Sequence, residues 1–236
     1  LIVVALVLAA GLIISTWVVS GALIRTRGNE TITVKGYAEQ PIVSDLATWT
    51  GSFSVEAAQL VGGYSQLQDD SVTVRGFLLS LGVPAESIKF SSVRTEPLHR
   101  RDANGRATND IERYRLSRTI SLQSSDLALV QTVAARSTEL IQDGVEFSSD
   151  QPQFFYTRLE DRKINMLGEA MRNAMDRARA LATNSGASVG RLIHASQGVF
   201  QITPPNTTDV SDSGYNDTST VDKIIKAVIT AEFAID

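Results

Sequence analysis

Residues 159–196 read LEDRKINMLGEAMRNAMDRARALATNSGASVGRLIHAS, and the spacing of their apolar side chains decides how the rest of the chain is read. Ile164, Leu167, Met171, Ala174, Ala178 and Leu181 recur at alternating steps of three and four, which aligns side chains along one stripe of an α-helix. The stripe is rich in Ala and Met, so a backbone can approach closely. Glu160, Asp161, Arg162, Lys163, Glu169, Arg172, Asp176 and Arg179 fill the opposite side. A sheet is the expected partner. Gly186 is placed to take the left-handed conformation that ends a helix, after which GRLIHAS turns to a strand-like pattern.

Working outward, Gly190 to Ile202 reads as a strand, and residues 203–220 (TPPNTTDVSDSGYNDTST) as a flexible loop with no periodic pattern. The closing VDKIIKAVITAEFAI puts Ile225, Ala227, Ile229, Ala231, Phe233 and Ile235 on one face of a last strand. Upstream, TITVKGYAE is a strand that Gln40 and Pro41 break, and from Asp45 a half-buried strand turns Ala47, Trp49, Phe53, Val55 and Ala57 inward. Tyr64, Leu67, Ser71, Val74, Leu78 and Leu81 repeat the helical spacing before Gly82. Ile88 to Leu98 is a strand, HRRDANGRATND a polar hairpin tip, and the returning strand sets Tyr114, Leu116, Ile120 and Leu122 against Arg113, Arg115, Ser117, Thr119 and Ser121. Ser124 or Ser125 caps a helix whose Leu127, Val130, Val133, Ala134, Leu140 and Ile141 face inward, with Gly144 as the stop. VEFSS and QFFYTRL supply further strands.

From Asp45 to Leu159 the order is strand, helix, strand, strand, helix, strand, the ferredoxin-like order, with a further helix and two strands added. The expected fold class is α+β, with mostly antiparallel sheets and helices packed on one face.

The 159–196 stretch also resembles the long helix and following strand of the SIMPL-domain family of bacterial envelope proteins. The family's pattern is met by Glu169, Ala170, Arg172, Ala174, Asp176, Ala178, Arg179, Leu181, Ala182, Gly186, Gly190 and Arg191. ITVKGYAE resembles its opening strand, LLSLGVPAESIKF its helix-Gly-strand junction and KAVITAEFAI its closing strand, so the likeness runs from about Thr31 to Asp236. The chain departs from the family at Ala38, where a second Gly is frequent, and at Val43 and Ser44, where Pro-Asp is. The resemblance implies rings or cage-like homo-oligomers on the outer side of the inner membrane, with a loose link to envelope and oxidative stress.

Charge and composition exclude several classes. A formal net charge of -4 lacks the basic excess of a dedicated nucleic-acid binder, and without cysteine there are no disulfides, thiolate metal sites or cysteine nucleophiles. Leu1 to Ile24 holds no charged residue before Arg25 and Arg27; at a helical rise it reaches about 36 Å, enough to cross a hydrocarbon core of about 30 Å. The expected organisation is a transmembrane anchor over 1–24, a linker over 25–30 and one domain over 31–236. The rival for the leading segment is a cleaved signal peptide ending in the small-x-small site at Ser20 and Ala22. Ala5 with Ala9, and Gly11 with Ser15, are small-xxx-small pairs that suit contacts between membrane helices.

No catalytic constellation stands out. GASVG spells G-x-S-x-G around Ser188, but it follows a helix and precedes a strand, the reverse of a nucleophile elbow. His99 and His194 are far apart in sequence and have no ligand-spaced neighbours. Asp209, Ser211, Ser213, Gly214 and Asp217 mimic part of a calcium loop, with Thr220 where the bidentate Glu belongs. No phosphate loop, dinucleotide fingerprint or zinc spacing appears, so no cofactor or metal is expected. Arg100, Arg101, Arg106, Arg113 and Arg115 crowd the hairpin and are the candidate oligomer or partner contact, against a reading as solvated charge. The expected function is therefore a non-enzymatic, membrane-anchored homo-oligomeric scaffold whose partners are its own copies and the bilayer. The alternative is a binding module that uses the arginine hairpin and the 203–220 segment.

Overall fold

The computed structural model describes residues 15–17, 30–207 and 214–236. The order is β1 (Thr31–Val43), β2 (Leu46–Ala57), α1 (Leu60–Ser80), β3 (Lys89–Phe90), β4 (Arg94–Arg101), β5 (Ala107–Ser124), α2 (Leu127–Arg136), β6 (Glu146–Ser149), β7 (Gln153–Phe155), α3 (Leu159–Ser185), β8 (Val189–Gln197), β9 (Gln201–Thr203) and β10 (Asp222–Ile235).

Strict alternation builds the inserted unit. In β2 every second residue from Ala47 to Phe53 is buried, and in β5 Leu116, Ile120 and Leu122 are, so these strands pair with their apolar faces to the same side. Sheet II has the order β3-β5-β2-β6, with β4 also on β5 and β7 also on β2, the ferredoxin-like arrangement expected over Asp45–Leu159. Leu67, Val74 and Leu78 of α1 and Val130 and Val133 of α2 cover one face, packing on Trp49, Phe53, Leu116, Ile120 and Leu122. The other face presents Thr48, Thr50, Ser52 and Ser54 beside Ser117, Thr119 and Ser121, a hydroxyl surface turned to water.

The added elements do not extend this sheet. β1, β10, β8 and β9 form a separate sheet I, with β10 between β1 and β8 and all pairs antiparallel, and α3 covers one face of it. The unit carrying sheet II is thus inserted between the first strand of sheet I and the remainder. α+β with antiparallel sheets holds, but each sheet has its own helical layer.

Several local readings are corrected. β1 runs through Gln40 and Pro41 to Val43, because it is an edge strand and proline's missing N–H faces away from the ladder. The buried stripe of α3 is Met166, Ala170, Ala174, Ala178 and Ala182, whereas Ile164 is 79% exposed and Leu181 exposed. The step is four throughout, and the run of alanines from Ala170 to Ala182 lets the helix lie close to the sheet. Ile88–Leu98 is split into β3 and β4, and Gly190–Ile202 into β8 and β9. Asp126 is the cap of α2: its carboxylate accepts from the Leu129 N–H at 3.0 Å, while Ser124 Oγ accepts from the Asp126 N–H. The helix stops at Arg136, gives way to a 3₁₀ turn over Ser137–Ile141, and leaves Ile141 exposed. Gly82, Gly144 and Gly186 have positive φ at the turns where stops were expected.

Candidate functional site

The arginine hairpin is an arm. The β2–β5 ladder ends at the Ala57↔Tyr114 pair, but β5 continues back to Ala107 with only β4 beside it. Most of β4 and of β5 before Leu116 is exposed, and two register shifts twist the arm. Its tip is tied by Asp102, whose Oδ1 accepts from the N–H groups of Asn104 at 2.8 Å and Arg106 at 2.9 Å, with Gly105 at φ 79°.

The five arginines do not form one patch. Arg115 Nη2 lies 2.6 Å from Glu56 Oε1 and Arg113 Nη1 lies 4.0 Å from Glu56 Oε2, so a β2 carboxylate holds both at the root of the arm. The hydrogen bond to Glu56 raises the Arg115 pKa further. Arg101 donates to the Gly105 carbonyl at 2.9 Å. At the tip, Arg100 and Arg106 have no ion-pair partner among the described residues.

The other candidates separate. Ala5, Ala9 and Gly11 lie outside the described residues, and Ser15 lies in a helical turn over 15–17. Among the described residues no helix is long and apolar enough to cross a membrane. Gly186 caps α3, and the Ser188 N–H donates to the Asp236 carbonyl at 2.9 Å, so GASVG works as the turn into β8. His99 and His194 are both exposed, on β4 and β8. No group of three or more His, Asp or Glu suited to a metal occurs among the described residues.

Asp209, Ser211 and Ser213 lie outside the described residues, but Asp217 corrects the flexible-loop reading of its neighbourhood. It is buried against Lys223, with Nζ 2.9 Å from Oδ2 and 2.5 Å from the Asp217 carbonyl. Ser219 donates from N at 3.0 Å and from Oγ at 2.7 Å, and the Thr220 hydroxyl and N–H donate to Oδ2. Burial raises the Asp217 carboxyl, but the bonds from Thr220, Ser219 and Lys223 outweigh it and hold the group well below the usual carboxylate range. A fully bonded carboxylate of this kind fixes a chain path; it has no open position for a ligand. Lys223 stands in phase with Ile225, Ala227 and Ile229, so a cation on the buried face of β10 was the available signal for it.

Compared with known families, residues 32–233 match the model of SIMPL, described as a protein of unknown function (DUF541). A search of the curated proteins found no match.

Proposed function

We propose, given that this chain belongs to the SIMPL family, that it is a membrane-tethered scaffold of the bacterial envelope that associates with its own copies into a ring or cage. The arm over 94–113 carries this reading. A two-stranded ribbon is marginal in water by itself, yet this one extends past its sheet and is largely exposed, with Arg100 and Arg106 free of ion pairs among the described residues. Such an extension makes physical sense as a reach onto a neighbour. The tether is proposed from the charge-free run over 1–24, and the outer side of the inner membrane from what the family resemblance implies. Tethering concentrates copies in one plane and favours their association.

The binding-module alternative has less support, because at the described end of the 203–220 segment the buried Asp217 carboxylate is taken up by the Ser219 and Thr220 hydroxyls and by Lys223. The test is the mass of the full chain purified in mild detergent, by light scattering at micromolar concentration. A discrete high-mass particle is expected; single chains would overturn the scaffold reading.

A further inference from the structure

Sheet II has two edges of opposite charge, and both charged segments reach the same end of the sheet. β6 pairs with β2 over Gly51–Ser54 with Glu146 opposite Ser54, so the turn leading into β6 points toward the end from which the arm projects. With adjacent strands about 4.8 Å apart, β4 and β6 lie about 14 Å apart across β5 and β2 and face away from each other.

On the arm edge, residues 94–106 contain Arg94, Arg100, Arg101 and Arg106 against Glu96 and Asp102, all exposed, while Asp110 and Glu112 lie on the returning strand beside Arg113, so the positive excess is at the tip and along β4. On the far edge, residues 137–150 contain Glu139, Asp143, Glu146 and Asp150 and no lysine or arginine. Glu139 is held by Arg136, at 2.9 Å. Asp143, Glu146 and Asp150 are exposed and have no ion-pair partner among the described residues. Each edge also has an apolar centre: Ile111, 45% exposed, beside the half-buried Leu98 on the arm, and Ile141, 57% exposed, at the acidic corner. Next to Asp150 a groove of about 440 Å³ is floored by Ala134, Ala135 and Pro152.

We infer that the arm of one copy seats against the β6 edge of the next, with Arg100, Arg101 and Arg106 meeting Asp143, Glu146 and Asp150 around the two isoleucines. The inference rests on the assembly reading and names its seam. Both halves of the contact reside on the same chain, and among the described residues no ion pair joins one to the other, although Glu146 feels the charge of Arg115 at the root of the arm. Because the two patches are different surfaces, the contact runs head to tail and propagates from copy to copy, closing when the rotation per copy permits. Opposed charges at the rim also set register and exclude arm-to-arm pairing.

Two charge reversals test it in the full chain: Arg100→Glu with Arg101→Glu and Arg106→Glu, and Asp143→Lys with Glu146→Lys and Asp150→Lys. Each alone is expected to run at the mass of a single chain, and an equimolar mixture to regain the high-mass particle, since each variant then offers what the other lacks. Independently, Ile111→Cys with Ile141→Cys in the cysteine-free chain is expected to give a ladder of linked copies with a short bis-maleimide. An assembled wild type with reversals that leave its mass unchanged, a mixture that stays dissociated, or a ladder that fails to form overturns the seam while the scaffold reading stands. A wild-type chain that is itself monomeric overturns both.

Discussion

Gly36 of β1 lies against the main chain of Ala170 on α3, so close that a Cβ at residue 36 would stand 2.0 Å from the Ala170 carbonyl oxygen. The obstacle is backbone, which cannot rotate away. Gly36→Ala is therefore expected to push the helix off the sheet at a cost of about 1–3 kcal/mol. The urea midpoint should fall with the slope unchanged. Gly76→Ala in α1, where nothing lies within 4 Å of the added carbon, is the control and should gain about 0.5–1 kcal/mol.

The corrected face of α3 is tested by a pair of substitutions two residues apart. Met166 is buried beside Ile225 and Ala227, so Met166→Ala should cost about 2–5 kcal/mol. Ile164 points to water, and Ile164→Gln should stay within about 0.5 kcal/mol of wild type. Equal losses in thermal unfolding would restore the stripe drawn through Ile164.

Lys223→Met leaves the Asp217 carboxylate buried without its cation and should cost about 3–5 kcal/mol, whereas adding Asp217→Asn should return much of the loss. The pH dependence follows from the sign of the shift. The folded-state pKa of Asp217 is depressed, so its contribution is complete above the ordinary carboxylate value of about 3.9 and is lost as pH falls below it. Acid unfolding of Asp217→Asn should accordingly be less steep than that of wild type below about pH 4.

Tyr37 is pushed up to about 12 by partial burial, by its 2.5 Å hydrogen bond to Glu39 Oε2 and by that carboxylate's charge. The neutral phenol is the form the fold favours, so the stabilisation is present below the ordinary tyrosine value of about 10 and disappears as pH rises through about 12. In a spectrophotometric titration of the folded chain, Tyr37→Phe should remove the phenolate transition near pH 12; removal of one near 10 would contradict the assignment.

What could be read from residues alone was whatever left a local trace. Alternation in β2, β5 and β10 and the glycines at 82, 144 and 186 placed most elements, and consecutive strands and helices gave the ferredoxin-like order of sheet II. The pairing of β1 with β10 joins the two ends of the described domain and leaves no such trace, so sheet I went unseen as a separate layer. In α3 the bulkier Ile164 and Leu181 outweighed Ala170 and Ala182 in the pattern, although close packing selects the smaller side chains. The arginine cluster was visible, but its division was not, because Glu56 reaches Arg115 from β2, a strand separated from it in sequence by α1. The acidic stretch over 139–150 was equally open to inspection and gained meaning only when the strand order put it on the far edge of the same sheet.

The placement of one unit inside the other also sets a schedule for synthesis. β1 leaves the ribosome with no strand to join, and the segment over 46–155 has a sheet and a core of its own to form while β1 waits for β10. Until then the nascent polypeptide carries a bare apolar ribbon, Ile32, Val34, Ala38 and Ile42 along one side, and that interval is when a chaperone has most to offer it.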